Sequence, residues 1–132
     1  MCRRPPPSAR HRQVASLPLP LPHGTRAGDY VFISGQVAVR PDGGTVIGDF
    51  DTEARVVLDN VRAVCRAAGG DLGDVCKVTA FLLNATLFDP FNEIYREYFA
   101  DPLPARSTVL APLSNPDLRI EVEAIAHIPR TA

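Results

Sequence analysis

Two charged positions near the C-terminus could do chemistry. Arg106 heads the apolar run "ARSTVLA", and Glu121 and Glu123 interrupt "LRIEVEAIAHI", a segment otherwise rich in Ile, Val and Ala. Charges inside sheets are costly unless they are paired or put to use. A guanidinium is a planar fork of donors suited to a carboxylate, whether from the protein or from a ligand. A carboxylate in a crevice can orient a water or take its proton. These residue types leave two arrangements open. Arg106 pairs with a glutamate of its own chain, or it waits for an anionic ligand. If Arg106 and Glu121 face each other in an empty cleft, the cation should depress the Glu121 pKa.

Other reactive constellations are weak. Ser34 in "ISGQ" does not sit in a GxSxG elbow, and no histidine stands near it in sequence. His11, His23 and His127 are scattered, with no HxxxH or HxE pair, so no metal is expected. "AAGGDLGD" lacks the lysine and spacing of a phosphate loop and reads as a helix stop followed by a turn. Cys2, Cys65 and Cys76 are odd in number and form no CxxC. They read as reduced thiols of a cytoplasmic protein, with Cys65 and Cys76 as small core residues.

The elements that must position these groups follow from patterning. The chain has 132 residues, 45% of them apolar, enough for one domain with a proper core. A net charge of −1, with no basic stripe interleaved with aromatics, argues against nucleic acid as a partner. No apolar run reaches membrane-spanning length. Residues 1–23 are Pro-rich ("PPP", "LPLPLP") and read as an extended or disordered tail, leaving 24–132 as a single domain. "GDYVFISGQVAV" is dense in strand formers, and "RPDGGTVIG" reads as a turn into a short strand. "DTEARVVLDNVRAVCRAAGG" predicts a helix with Asp51 as its N-cap and Gly69-Gly70 at its end. "DVCKVTAFLLN" is a strand, and "TLFDPFNEIYREYFA" is a second helix opening near Asp89-Pro90, with a stripe of Phe91, Ile94, Tyr95, Tyr98 and Phe99. "ARSTVLA" and "LRIEVEAIAHI" close the chain as strands.

This order predicts an α+β fold, a mixed sheet of about six strands with two helices on one face. In the last strand Ile120, Val122, Ala124, Ala126 and Ile128 should meet the helices, and Arg119, Glu121, Glu123, Ile125 and His127 should face away. "VCKVTAFLL" carries small or apolar side chains at both parities. Cys76, Val78, Ala80 and Leu82 are expected on one side, and Val75, Thr79, Phe81 and Leu83 on the other. A strand apolar on both faces wants cover on both, which predicts a homo-oligomer.

"AGDYVFISGQ", "LDNVRAVCRAAGGDLGDVCKVTAFL", "FNEIYREYF", "PARSTV" and "IEVEAIA" occur in an order and at a spacing that resemble the RidA/YjgF family of enamine/imine deaminases, which also carries the older name L-PSP endoribonuclease. The resemblance runs from about Arg26 to Ile128, roughly four-fifths of the chain. It implies a chorismate-mutase-like fold assembled as a homotrimer, sheets facing inward, with clefts between subunits. It implies that Arg106 grips a substrate carboxylate and that Glu121 holds the attacking water. Ser34, Gly35, Phe88 and Thr108 would line the cleft. The implied reaction is hydrolysis of 2-imino acids to 2-keto acids and ammonia, without metal or cofactor. Two positions depart from the family: Leu21 stands where a tyrosine is usual, and Thr108 where a cysteine is frequent. The alternatives are a non-catalytic trimer that binds small carboxylates for regulation and, less favoured for want of a stacking platform and a histidine pair, an endoribonuclease.

Overall fold

The computed structural model describes residues 21–130; the Pro-rich segment expected over 1–23 lies almost wholly outside them. Five strands form one mixed sheet: β1 (Gly24–Ala27), β2 (Tyr30–Gln36), β3 (Val75–Leu82), β4 (Ala105–Leu110) and β5 (Ile120–His127), in the order β1-β2-β5-β3-β4. Only β3 and β4 run parallel, joined by helix α2 (Phe88–Tyr98) as a crossover; the other neighbours are antiparallel. The long helix α1 (Phe50–Ala67) packs on β2, β5 and α2.

The strand expected after "RPDGG" is reduced to a single bridge, Val39 to Thr45. Its loop bends at Gly43 and Gly48, both at positive φ, so no run of residues stays extended long enough to pair. The cap of helix α1 lies two residues before the expected one. Asp49, not Asp51, is the N-cap, and its carboxylate accepts from the Thr52 backbone N–H at 3.2 Å. Asp51 instead pairs with Arg55 one turn on, at 2.7 Å.

The alternation expected for β5 is observed from Ile120 onward, but Arg119, expected to face away from the helices, bends back to Glu53 and Phe50 of α1. Ile120, Val122, Ala124, Ala126 and Ile128 are buried against the helices, and Glu121, Glu123, Ile125 and His127 are not. In β3 a register shift between Val75 and Lys77 exchanges the first pair of side chains. Val75 joins Val78, Ala80 and Leu82 in the core, and Cys76 is exposed, donating to the Ile125 carbonyl at 3.3 Å. The core role expected of Cys76 is therefore wrong, while Cys65 is fully buried and burial pushes its thiol up to about 12.

The face of the sheet away from the helices is uncovered in the protomer. In register it carries Tyr30 and His127, then Phe32, Ile125 and Lys77, then Glu123, Thr79 and Ser107, then Glu121, Phe81 and Val109. Tyr30, Phe32 and Val109 are each more than two-fifths exposed, so apolar rings and branches lie open beside two carboxylates. The start of β5 is fixed from the helix side by Glu53, which in the sequence stands out only as a favourable first-turn charge. This residue of α1 is wholly buried and accepts from the backbone N–H of Arg119 at 2.5 Å, that of Ile120 at 3.2 Å and Arg119 Nε at 3.1 Å.

Candidate active site

The β3–α2–β4 unit positions Arg106. Directly paired residues share a face, and Arg106 pairs with Val78, which is buried toward the helices. Its guanidinium carbon lies 4.7 Å from the Tyr95 ring centroid, 5.2 Å from Phe91 and 5.7 Å from Phe88. Nη2 donates to Asn92 Oδ1 at 2.6 Å. Residues 88, 91, 92 and 95 repeat at steps of three and four, so one stripe of α2 supplies both the rings and the acceptor. Thr108 follows two residues along the same face of β4 and is partly buried, and the Phe88 ring is substantially exposed. Among the described residues no carboxylate forms an ion pair with Arg106.

Glu121 is built by a different part of the sheet. It pairs with Phe81 on the open face of β5. Between Ile33 and Gln36, β2 carries an extra residue, and this bulge brings the Gly35 backbone against the Glu121 carboxylate. A Cβ at Gly35 would overlap that carboxylate, with the Glu121 Cδ only 2.8 Å away. Gly35→Ala is therefore expected to expel Glu121 from its position and cost at least tenfold in any activity that depends on it, with a small loss of thermal stability. Ser34 Oγ donates to the Pro22 carbonyl at 2.7 Å, so its hydroxyl ties down the segment entering β1 rather than standing free. Leu21, next to that anchor, is exposed and brings no hydroxyl.

The six residues singled out from the sequence thus fall into two groups. Ser34, Gly35 and Glu121 lie together, and so do Phe88, Arg106 and Thr108. The two groups do not meet within one protomer. Arg106 projects toward α2 and Glu121 away from it, and β3 separates their strands by two ladder spacings, about 9–10 Å. Within one protomer the two do not face each other, so no guanidinium of the same chain depresses the Glu121 pKa. The Glu121 carboxyl is instead raised, first by burial and second by the like charge of Glu123 on the same face.

The sign of this shift gives two expectations. Between the ordinary carboxylate value and the raised one the native chain holds a proton that the unfolded chain has lost. Glu121 therefore favours folding at low pH, a contribution lost as pH rises through the raised value. With burial and Glu123 acting alone, a reaction needing ionised Glu121 should show an acid limb above the usual carboxylate range. Glu123→Gln should move that limb to lower pH, and a pH–rate profile of kcat/KM checks the displacement.

Sequence reasoning missed Asn92 and the part played by Tyr95. Asn92 was the available signal, a lone amide on a stripe otherwise aromatic and apolar.

The chain as a whole is similar to known proteins. The family model described as Endoribonuclease L-PSP matches residues 15–128. A RutC family protein of Pyrococcus horikoshii is 40% identical over 82% of this chain and 86% of its own. The 2-iminobutanoate/2-iminopropanoate deaminase of Escherichia coli is 38% identical over 81% of this chain and 86% of its own. The crystal structure of E. coli TdcF with bound serine superposes with a TM-score of 0.79 at 35% identity, covering 93% of this chain and 95% of that one. By sequence and fold alike, this chain belongs to the RidA/YjgF family, whose family model carries the older Endoribonuclease L-PSP description.

Proposed function

We propose that the protein hydrolyses small 2-imino acids to 2-keto acids and ammonia, in clefts formed where the protomers of a homotrimer meet. The observation that carries this reading is the attitude of Arg106: one amino group is held by Asn92, the plane lies over aromatic rings, and the remaining donors have no carboxylate partner among the described residues. Such a fork suits the carboxylate beside the electrophilic carbon of a 2-imino acid. Serine, bound in the TdcF crystal, carries the same head group of a carboxylate next to a nitrogen-bearing carbon. The deaminase name of the E. coli relative supports the same chemistry.

Arg106 and Glu121 project from opposite faces, so a shared cleft requires Arg106 from one protomer and Glu121 from its neighbour. The uncovered apolar face around Phe32, Phe81 and Val109 supplies the surface for such a contact. In that cleft Arg106 fixes the carboxylate and Glu121 accepts a proton as a water adds to C2 of the protonated imine. The proton returns from Glu121 to the nitrogen of the resulting 2-amino-2-hydroxy acid, the C–N bond breaks as ammonia departs, and the hydroxyl proton passes to Glu121 and on to ammonia as C2 becomes a carbonyl. Such imines hydrolyse unaided, so positioning together with general-base help worth roughly 10²–10⁴-fold is sufficient.

The test generates the imine in place with an amino-acid oxidase and traps it with semicarbazide. Wild-type protein should lower semicarbazone formation, and Arg106→Ala should not. Equal trapping with both proteins overturns the enzyme reading. Glu121→Gln separates catalysis from mere binding: an enzyme loses turnover and still binds a 2-keto acid, while a regulatory binder shows no turnover even before substitution. Sedimentation gives the assembly state, and a monomer would sink the shared cleft.

A further inference from the structure

Tyr95 is the nearest of the three rings to the Arg106 guanidinium, at 4.7 Å, and it packs against two other rings. It is only 7% exposed. One helical turn ahead, Phe99 stacks on it at 4.5 Å with planes 28° apart; one turn behind, Phe91 packs at 5.5 Å and 59°. Two neighbours along the α2 stripe therefore fix the ring plane, while Phe88 at the rim is 42% exposed. The Tyr95 hydroxyl is buried with no hydrogen-bond partner, alone in this among the described residues. It ties nothing in the fold together, and burial raises its pKa, so the ring meets Arg106 as a neutral phenol.

We infer that Tyr95 is a positioning residue, whose locked ring face carries the Arg106 guanidinium and holds its donor fork in the attitude that receives a substrate carboxylate. The inference rests on the proposed role of Arg106 and assigns the work of presenting it. Asn92 holds Nη2 and so fixes the rotation of the fork within its plane. The Tyr95 face fixes the plane itself, because a guanidinium over a ring is attracted to the negative π-face. Asn92 takes one of the two Nη2 hydrogens, and the other Nη2 hydrogen with the donor beside it forms the edge left to a ligand. Removing the ring frees the plane to tilt, and a bidentate contact becomes a single one.

The consequence is specific to carboxylates, which separates it from loss of packing. Binding of 2-ketobutyrate, a stable carboxylate of the product class, is measured by calorimetry for wild type, Tyr95→Phe and Tyr95→Leu. Tyr95→Phe keeps the ring face and should bind within about twofold of wild type, with equal or higher thermal stability, because it deletes an unsatisfied buried hydroxyl. Tyr95→Leu should bind roughly tenfold more weakly. In turnover of 2-iminobutanoate its loss should fall on KM rather than kcat, and the methyl ester of that imine should be affected far less than the free acid. In an Arg106→Ala background the Tyr95→Leu effect should vanish. Equal keto-acid affinity in Tyr95→Leu and wild type overturns the inference, as does equal damage to ester and acid. If Tyr95→Leu fails to fold, fluorinated phenylalanines placed at position 95 weaken the π-face at nearly constant shape. Affinity should fall with each added fluorine, and a flat series overturns the inference. A protein that binds 2-ketobutyrate through Tyr95 but consumes no imine would refute the deaminase reading and leave the positioning role standing.

Discussion

Arg106→Ala is expected to lower kcat/KM for 2-iminopropanoate by roughly 10²–10³-fold while the protein remains folded. Two charge-assisted hydrogen bonds to a carboxylate, each worth about 1.5–3 kcal/mol, would be lost together with the orientation they impose. The fold should bear the change because, among the described residues, the one side-chain hydrogen bond Arg106 makes is to Asn92, whose side chain is only partly buried. Arg106→Lys restores the charge without the planar fork and should recover only part of the loss, mostly in KM. Steady-state kinetics beside a thermal melt decides. A fall in activity matched by a large fall in melting temperature would assign Arg106 to the scaffold.

The largest effect on stability should come from Glu53. Its carboxylate is fully buried and is held by two backbone N–H groups and the Arg119 side chain, which is about a quarter exposed. Glu53→Ala leaves those backbone donors buried and unpaired and strands Arg119 against Gly48 and Phe50, at an expected cost of about 3–5 kcal/mol. Glu53→Gln keeps an acceptor for part of the set and should cost less than half as much. Urea unfolding measures both. Glu121 stands two residues after Arg119, so Glu53→Ala should also weaken any activity that needs Glu121 in register, even at temperatures where the variant is folded.

Where sequence sufficed and where it failed have physical causes. The helix face of β5 was legible because strict alternation from Ile120 to Ile128 survives unbroken into the sheet. Helix α1 was legible from the steps of three and four between Ala54 and Ala68, although its cap lay two residues upstream. The bulges were not legible: nothing in "DVCK" announces the shift that turns Cys76 outward, and "SGQ" gives only Gly35 as a hint of the other. Arg106 and Glu121 stand out by type alone, and the family likeness rests on their motifs. Their mutual placement does not, because choosing between a pairing within one chain and one across chains requires the facing of β4 relative to β5. That facing depends on β3 lying between them, a matter of topology that no local pattern carries.

The opposed projection of Arg106 and Glu121 has a genetic consequence. Suppose each working cleft takes its guanidinium from one protomer and its carboxylate from the next. Arg106→Ala and Glu121→Gln chains, each inert when pure, would then rescue one another after being unfolded together and refolded as a mixture. Every hybrid ring would contain a junction at which both contributors are wild type. Two defects on the same side of the junction, such as Arg106→Ala with Asn92→Ala, would show no such rescue.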